Sequence, residues 1–173
     1  MKIAVPKETR AHETRVAAVP ETVKKLKALG AEVMVERGAG AAASIPDDAY
    51  EAAGAALAGS FGETLQGADV VLKVQRPTHE EADAFALGQK LFCIMSPYAD
   101  REILDHLAGK GVECFAMEFM PRITRAQSMD VLSSQANLAG YKAVLEAANL
   151  YTRGMPQMMT AAGTVAPAKV FVM

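Results

Sequence analysis

The sequence predicts an α/β fold: an open, mostly parallel sheet with helices on both faces. Three observations predict it. Short, almost wholly apolar runs such as Val70-Val71-Leu72 alternate with segments of helical period, and near-continuous apolar strands belong to parallel sheets buried on both faces. The intervals between the runs hold helices that serve as right-handed crossovers, which leaves few topologies. One long helical stretch follows the last of these strands and separates it from a further apolar run at Lys169–Met173. A Rossmann-like sheet, then a long connector helix and the first strand of a second Rossmann domain, satisfies all three.

Lys2–Val5 is the first strand, followed by a polar loop, Lys7–Glu13. Pro20 and Glu21 open a helix with Val23, Leu26 and Leu29 on one face, and Gly30 stops it. Glu32–Glu36 is the second strand, and Pro46 starts a helix through Ala53. A brief run at Ala55–Ala58 precedes a short helix near Gly62–Leu65, and Asp69–Val74 is the clearest buried strand. A helix around Glu80–Leu87, a strand at Lys90–Met95, a helix at Asp100–Ala108 and a strand at Val112–Met117 complete the series. The pattern then changes. A loop, Met120–Gln127, leads into a long helix from Ser128 to about Leu150, along which Val131, Leu138 and Leu145 repeat every seven residues. A methionine-rich loop (Met155, Met158, Met159), a turn through Gly163 and Pro167, and a strand at Lys169–Met173 end the chain. These elements divide it into an amino-terminal domain, residues 1–125, and a connector with the start of a second domain, residues 126–173. A terminal strand with no element behind it implies that the second domain is truncated.

Composition excludes several classes. With 51% apolar and 22% charged residues the chain can bury a sizeable core. A net charge of -2 and the absence of Trp argue against a nucleic-acid surface. No apolar stretch reaches the roughly 18 to 20 residues that span a bilayer, and the start, Met1-Lys2-Ile3-Ala4-Val5-Pro6, is too short for a signal peptide. The expected location is therefore cytoplasmic, without direct membrane insertion. Cys93 and Cys114 lie in apolar runs and read as buried free thiols of a reducing compartment. Without a Cys-x-x-Cys or His cluster, no metal is expected.

Four constellations carry candidate chemistry. Gly38-Ala39-Gly40-Ala41-Ala42-Ala43 fits a dinucleotide loop, but Ser44, Ile45 and Pro46 separate it from the next helix, whose first turn would have to face the pyrophosphate. A structural loop is the better reading. Arg10, His12, Glu13 and Arg15 crowd the loop after the first strand, where ligands bind in open α/β sheets. Arginines there fit a carboxylate or phosphate, and a solvated loop fits equally well. Lys73, inside an apolar strand, is costly unless it is paired or lies at the strand's end, where it would face the same crevice as Arg15. The richest segment is Met120-Pro121-Arg122-Ile123-Thr124-Arg125-Ala126-Gln127-Ser128-Met129-Asp130, continuing to Ser133. Helix capping accounts for Ser128 as N-cap and for Asp130 in the first turn. It leaves the arginines and Gln127 unexplained, and such donors and acceptors suit the amide and ribose hydroxyls of a nicotinamide nucleotide.

This last segment, with Leu132-Ser133-Ser134 and Asn137 to Tyr141, closely resembles the signature of the alpha subunit of proton-translocating NAD(P) transhydrogenases. Ile3-Ala4-Val5-Pro6-Lys7-Glu8 with Arg15-Val16-Ala17 resembles the opening that this family shares with alanine dehydrogenases, and Thr160 to Val165 also matches. The resemblance implies the NAD(H)-binding component, residues 126–173 then being the connector helix and the truncated start of its NAD-binding domain. It implies that Arg122, Gln127, Asp130 and Ser133 contact the nicotinamide end of NAD(H), with Gln127, Asp130 and Arg122 forming the reacting site. The implied activity is direct hydride exchange between NADH and NADP, with NADP(H) on a partner domain and proton movement in a membrane-spanning partner. That makes the chain peripheral on the inner membrane face through its partner, and a homodimer. An alanine dehydrogenase is the competing reading, with Arg15 and Lys73 as its substrate and catalytic positions. That activity needs a histidine where this chain has Ser96. A third reading is a non-catalytic binding or assembly fragment, because the family's pyrophosphate loop is expected beyond Val172-Met173.

Overall fold

The computed structural model describes residues 1–172, which divide into two compact units, Met1–Arg122 and the described residues from Ile123 onward. The first unit is a six-stranded parallel sheet in the order β3-β2-β1-β4-β5-β6. Its strands are β1 (Lys2–Val5), β2 (Glu32–Glu36), β3 (Ala56–Ala58), β4 (Val70–Gln75), β5 (Lys90–Ile94) and β6 (Glu113–Ala116). The expected Rossmann-like fold class is what the chain adopts. Its topological switch point lies between β1 and β4, where such sheets open a crevice at their carboxyl ends.

Two cores explain the apolar runs. Helices α1 (Pro20–Ala28) and α2 (Asp47–Ala52) bury Val23 and Tyr50 against Val5, Val33 and Val35. Helices α3 (Phe61–Leu65) and α5 (Arg101–Gly109) bury Leu65, Ile103 and Leu107 against Ala4, Val71, Leu91 and Cys93. The neighbours Ala4 and Val5 thus serve opposite faces, which is why β1 has no polar alternation. The Tyr50 hydroxyl donates to the Ala18 carbonyl at 2.9 Å, joining α2 to the loop before α1.

Helix ends depart from the sequence reading where side chains compete for backbone groups. Helix α4 covers only His79–Ala82 and not 80–87. Gln89, buried, accepts from Ala86 N at 2.9 Å and donates to the Leu65 and Ala68 carbonyls, so the chain turns instead of continuing the helix. In the second unit, α6 spans Val131–Leu150 and its N-cap is Asp130, not Ser128. Ser128 sits in a 3-10 turn, Gln127–Met129. The methionine-rich loop contains an antiparallel hairpin, β7 (Met158–Thr160) with β8 (Gly163–Val165), which the sequence reading missed. Residues 169–172 have no ladder partner and form no strand, while Met173 lies outside the described residues.

Gly38-Ala39-Gly40 is a structural turn, as expected. Gly38 takes φ +73 and its N–H donates to Asp47 Oδ1 at 2.8 Å. A Cβ on Gly40 would lie 2.7 Å from the Ile45 carbonyl oxygen and 2.8 Å from the Tyr50 ring. Packing, not a pyrophosphate, requires that glycine. Gly40→Ala is expected to destabilise the first unit by about 1–3 kcal/mol through overpacking, measured by urea unfolding. An unchanged midpoint would contradict this account of the turn.

Candidate functional site

Strand β4 outruns β1. Pairing between them stops at Ala4 with Val71, yet β4 continues to Gln75, and its register with β5 slips between Leu72 and Gln75. A bulge of this kind re-aims side chains and frees backbone groups. Glu8, from the loop after β1, fills the vacated edge: its carboxylate accepts from Val74 N at 2.6 Å and Gln75 N at 3.4 Å. Lys73 Nζ lies 3.5 Å from Glu8 and 3.3 Å from Glu81, and 5.5 Å above the Phe61 ring, with its side chain 1% exposed. Glu81 also accepts from Thr9 Oγ1 at 2.7 Å and forms a capping box with Thr78. Two carboxylates therefore flank one ammonium in a buried site. Burial pushes the Glu8 carboxyl up from its ordinary range, against the opposing pull of Lys73. Lys73 does not face the crevice; it is enclosed beneath it. Sequence reasoning missed Glu8 and Glu81, although a lysine inside a buried strand already demands carboxylate partners.

Above this floor opens a cleft of about 640 Å³ lined by Arg10, Ala11, His12, Glu13, Gln75 and Thr78. Arg10 is tied to the Arg76 and Pro77 carbonyls at 3.0 and 3.2 Å. Arg15 grips Glu13 through two nitrogens at 2.7 and 2.6 Å, and Gln75 Nε2 donates to Glu13 at 2.9 Å. His12 holds φ +65, an uncommon conformation outside glycine. Arg10, Glu13 and Arg15 of this loop are thus tied into the cleft wall, Arg15 and Glu13 as an ion pair and Arg10 through backbone carbonyls.

The nucleotide-contact candidates lie at the start of the second unit and the end of the first. Asp130 caps α6, its Oδ1 accepting from Leu132 N at 3.0 Å and Ser133 N at 3.1 Å, while Ser133 Oγ donates to Oδ2 at 2.6 Å. Gln127, exposed, occupies the turn just before, and Arg122, also exposed, ends the first unit. Asp130 and Ser133 are brought into contact, and the Ser133 hydroxyl keeps acceptor capacity. Such donors and acceptors fit the amide and hydroxyls of a nicotinamide riboside. Among the described residues there is no glycine-rich loop opening a helix that would fit the pyrophosphate, nor a group of three or more His, Cys, Asp or Glu that would hold a metal.

The cleft wall carries a pH signature. Arg15, followed by Gln75, holds the Glu13 carboxyl below its ordinary 4.5, at about 2, although partial burial opposes this. A depressed pKa adds stability that is present above the unfolded value and lost as pH falls through the folded one. Glu13→Gln is therefore expected to melt below the parent at neutral pH, and the gap should close between pH 4.5 and about 2. A gap that stays constant with pH would contradict the assignment.

Residues 4–139 match the family model described as alanine dehydrogenase/PNT, N-terminal domain. An NAD(P) transhydrogenase alpha-subunit polypeptide of Rhodospirillum rubrum is 54% identical over 99% of this chain and 46% of its own length. The crystal structure of a transhydrogenase from Sinorhizobium meliloti superposes with a TM-score of 0.92 at 53% identity, covering 97% of this chain and 50% of that one. An alanine dehydrogenase of Halomonas elongata is more distant, 34% identical over 99% of this chain and 47% of its length. The chain thus spans about half the length of the relatives it matches. It belongs to the alanine dehydrogenase/PNT N-terminal domain family and corresponds there to the amino-terminal portion of transhydrogenase alpha subunits.

Proposed function

We propose that this chain forms a portion of the NAD(H)-binding component of a proton-translocating NAD(P) transhydrogenase, in which hydride passes directly between NADH and NADP. The observation that carries the reading is the segment from Arg122 to Ser133, whose sequence carries an arginine, a glutamine, an aspartate and a serine on the approach to α6 and in its first turn. Residues 1–125 are then the amino-terminal domain, and residues 126–173 the connector and the beginning of the NAD-binding domain.

The bound nicotinamide supplies the hydride chemistry, and the protein's task is to position it. Arg122 and Gln127 offer hydrogen bonds to the nucleotide's carboxamide and hydroxyls. Asp130, already rigid as the cap of α6, and Ser133, locked to it at 2.6 Å, form a preorganised pair that orders the ribose end. Gln127 stands nearest the second nucleotide, which a partner domain carries as NADP(H). In this reading proton movement belongs to a membrane-spanning partner; among the described residues of this chain no helix is long and apolar enough to cross a membrane. The assembly is a homodimer on the inner membrane face.

An alanine dehydrogenase activity is disfavoured by Ser96, a residue without an imidazole to move the proton, and by Lys73, whose ammonium is held between Glu8 and Glu81. In the subunit carrying this chain, mixed with its NADP-binding partner, Gln127→Asn and Asp130→Asn should each slow hydride transfer by about 10- to 100-fold, the cost of a misplaced reactant. Steady-state assays with NADH and an NADP analogue measure this. Parent-like rates in both variants would sink the site assignment.

A further inference from the structure

The loop after β5 carries a feature that neither the cleft nor helix capping explains. Ser96 takes φ +47 without being a glycine, and a strained residue of this kind persists only where its surroundings over-determine it. Glu118 supplies that constraint: its two oxygens accept from Met95 N at 3.1 Å and Ser96 N at 2.5 Å. Glu118 lies in the 3-10 turn Met117–Phe119, which follows β6 directly and closes with Met120 N donating to the Met117 carbonyl at 3.2 Å. A second tie runs parallel, as Phe119 meets Tyr98 edge-on with ring centroids 6.2 Å apart. Tyr98 is 94% exposed and Phe119 59% exposed, so burial does not account for the contact. Two connections at the carboxyl edge of the sheet are thus bolted together at one carboxylate.

Immediately beyond this bolt come Met120, Pro121 and Arg122. Pro121 fixes its own φ and restricts the residue before it, so fewer backbone torsions separate the turn from Arg122 than in an ordinary loop. We infer that Glu118 is a positioning residue: by locking the Ser96 loop to the turn after β6, it sets the direction from which Arg122 approaches the nucleotide. This rests on the transhydrogenase reading and adds a residue to it. Glu118 itself touches no substrate; it acts through Arg122.

The test is a double-mutant cycle in the active subunit mixed with its partner. Glu118→Gln keeps the shape but offers one acceptor oxygen for two N–H groups. It should lower kcat about tenfold in the parent background, as expected for a misaligned contact, and less than twofold in an Arg122→Ala background, where the two changes share one route. No loss in the parent, or the same loss in both backgrounds, would overturn the inference. Full activity of Arg122→Ala alone would instead overturn the site assignment beneath it. Should Glu118→Gln fail to fold, Tyr98→Ala serves in the same cycle, since its exposed ring can be removed without opening the core. A loss of at least twofold that disappears with Arg122→Ala supports the positioning role, and no loss contradicts it.

Discussion

The overhang of β4 beyond β1 sets the architecture of the sheet's carboxyl edge. Where β1 stops, the backbone of Val74 and Gln75 needs acceptors, and Glu8 provides them from the loop that leaves β1. That carboxylate can be buried because Lys73 lies against it, and Lys73 can be buried because Glu81 completes its pairing. Breaking a buried pair of this kind costs about 3–5 kcal/mol, chiefly through the charge left unpaired. The three residues are therefore one unit, and through Thr9, Thr78 and Gln75 it holds both walls of the cleft above it.

The same economy recurs in the segment that carries the proposed nucleotide contacts. Asp130 caps α6 and orients Ser133 with one side chain, so local helix stability and site geometry are inseparable there. Glu118 does likewise for the Ser96 loop. In each case a carboxylate accepts two backbone N–H groups that the end of a strand or helix would otherwise leave unsatisfied. The sites therefore grow out of element ends, which is where an open α/β sheet gathers its ligands.

Much of this was legible in the sequence. Lys2–Val5 and Glu32–Glu36 are strands with the boundaries that their sequence indicates: β1 is buried on both faces and tolerates little polarity, and β2 buries Val33 and Val35 on one face. The intervening Gly40 was readable as structural from the distance to the next helix, and its crowding by Ile45 and Tyr50 gives the reason. The end of α4 and the start of α6 were not readable, since Gln89 and Asp130 decide them through contacts that no periodicity records. The hairpin of Met158–Thr160 with Gly163–Val165 escaped because strands so short and exposed carry no alternation. The lysine in β4 announced itself as anomalous, but its partners are set by the tertiary fold: Glu8 comes from another loop and Glu81 from a helix. The strain at Ser96 and the hold that Glu118 keeps on it had no sequence signal at all.

The central proposal is direct hydride passage between two nucleotides, one of them held at Arg122, Gln127, Asp130 and Ser133. The most direct measurement follows the hydride itself. NADH deuterated at the transferable position of its nicotinamide ring is mixed, in ordinary water, with NADP, the subunit carrying this chain and its NADP-binding partner. The account predicts that the deuterium is recovered on the NADPH formed. Deuterium appearing in the water, or NADPH formed without label, would contradict it.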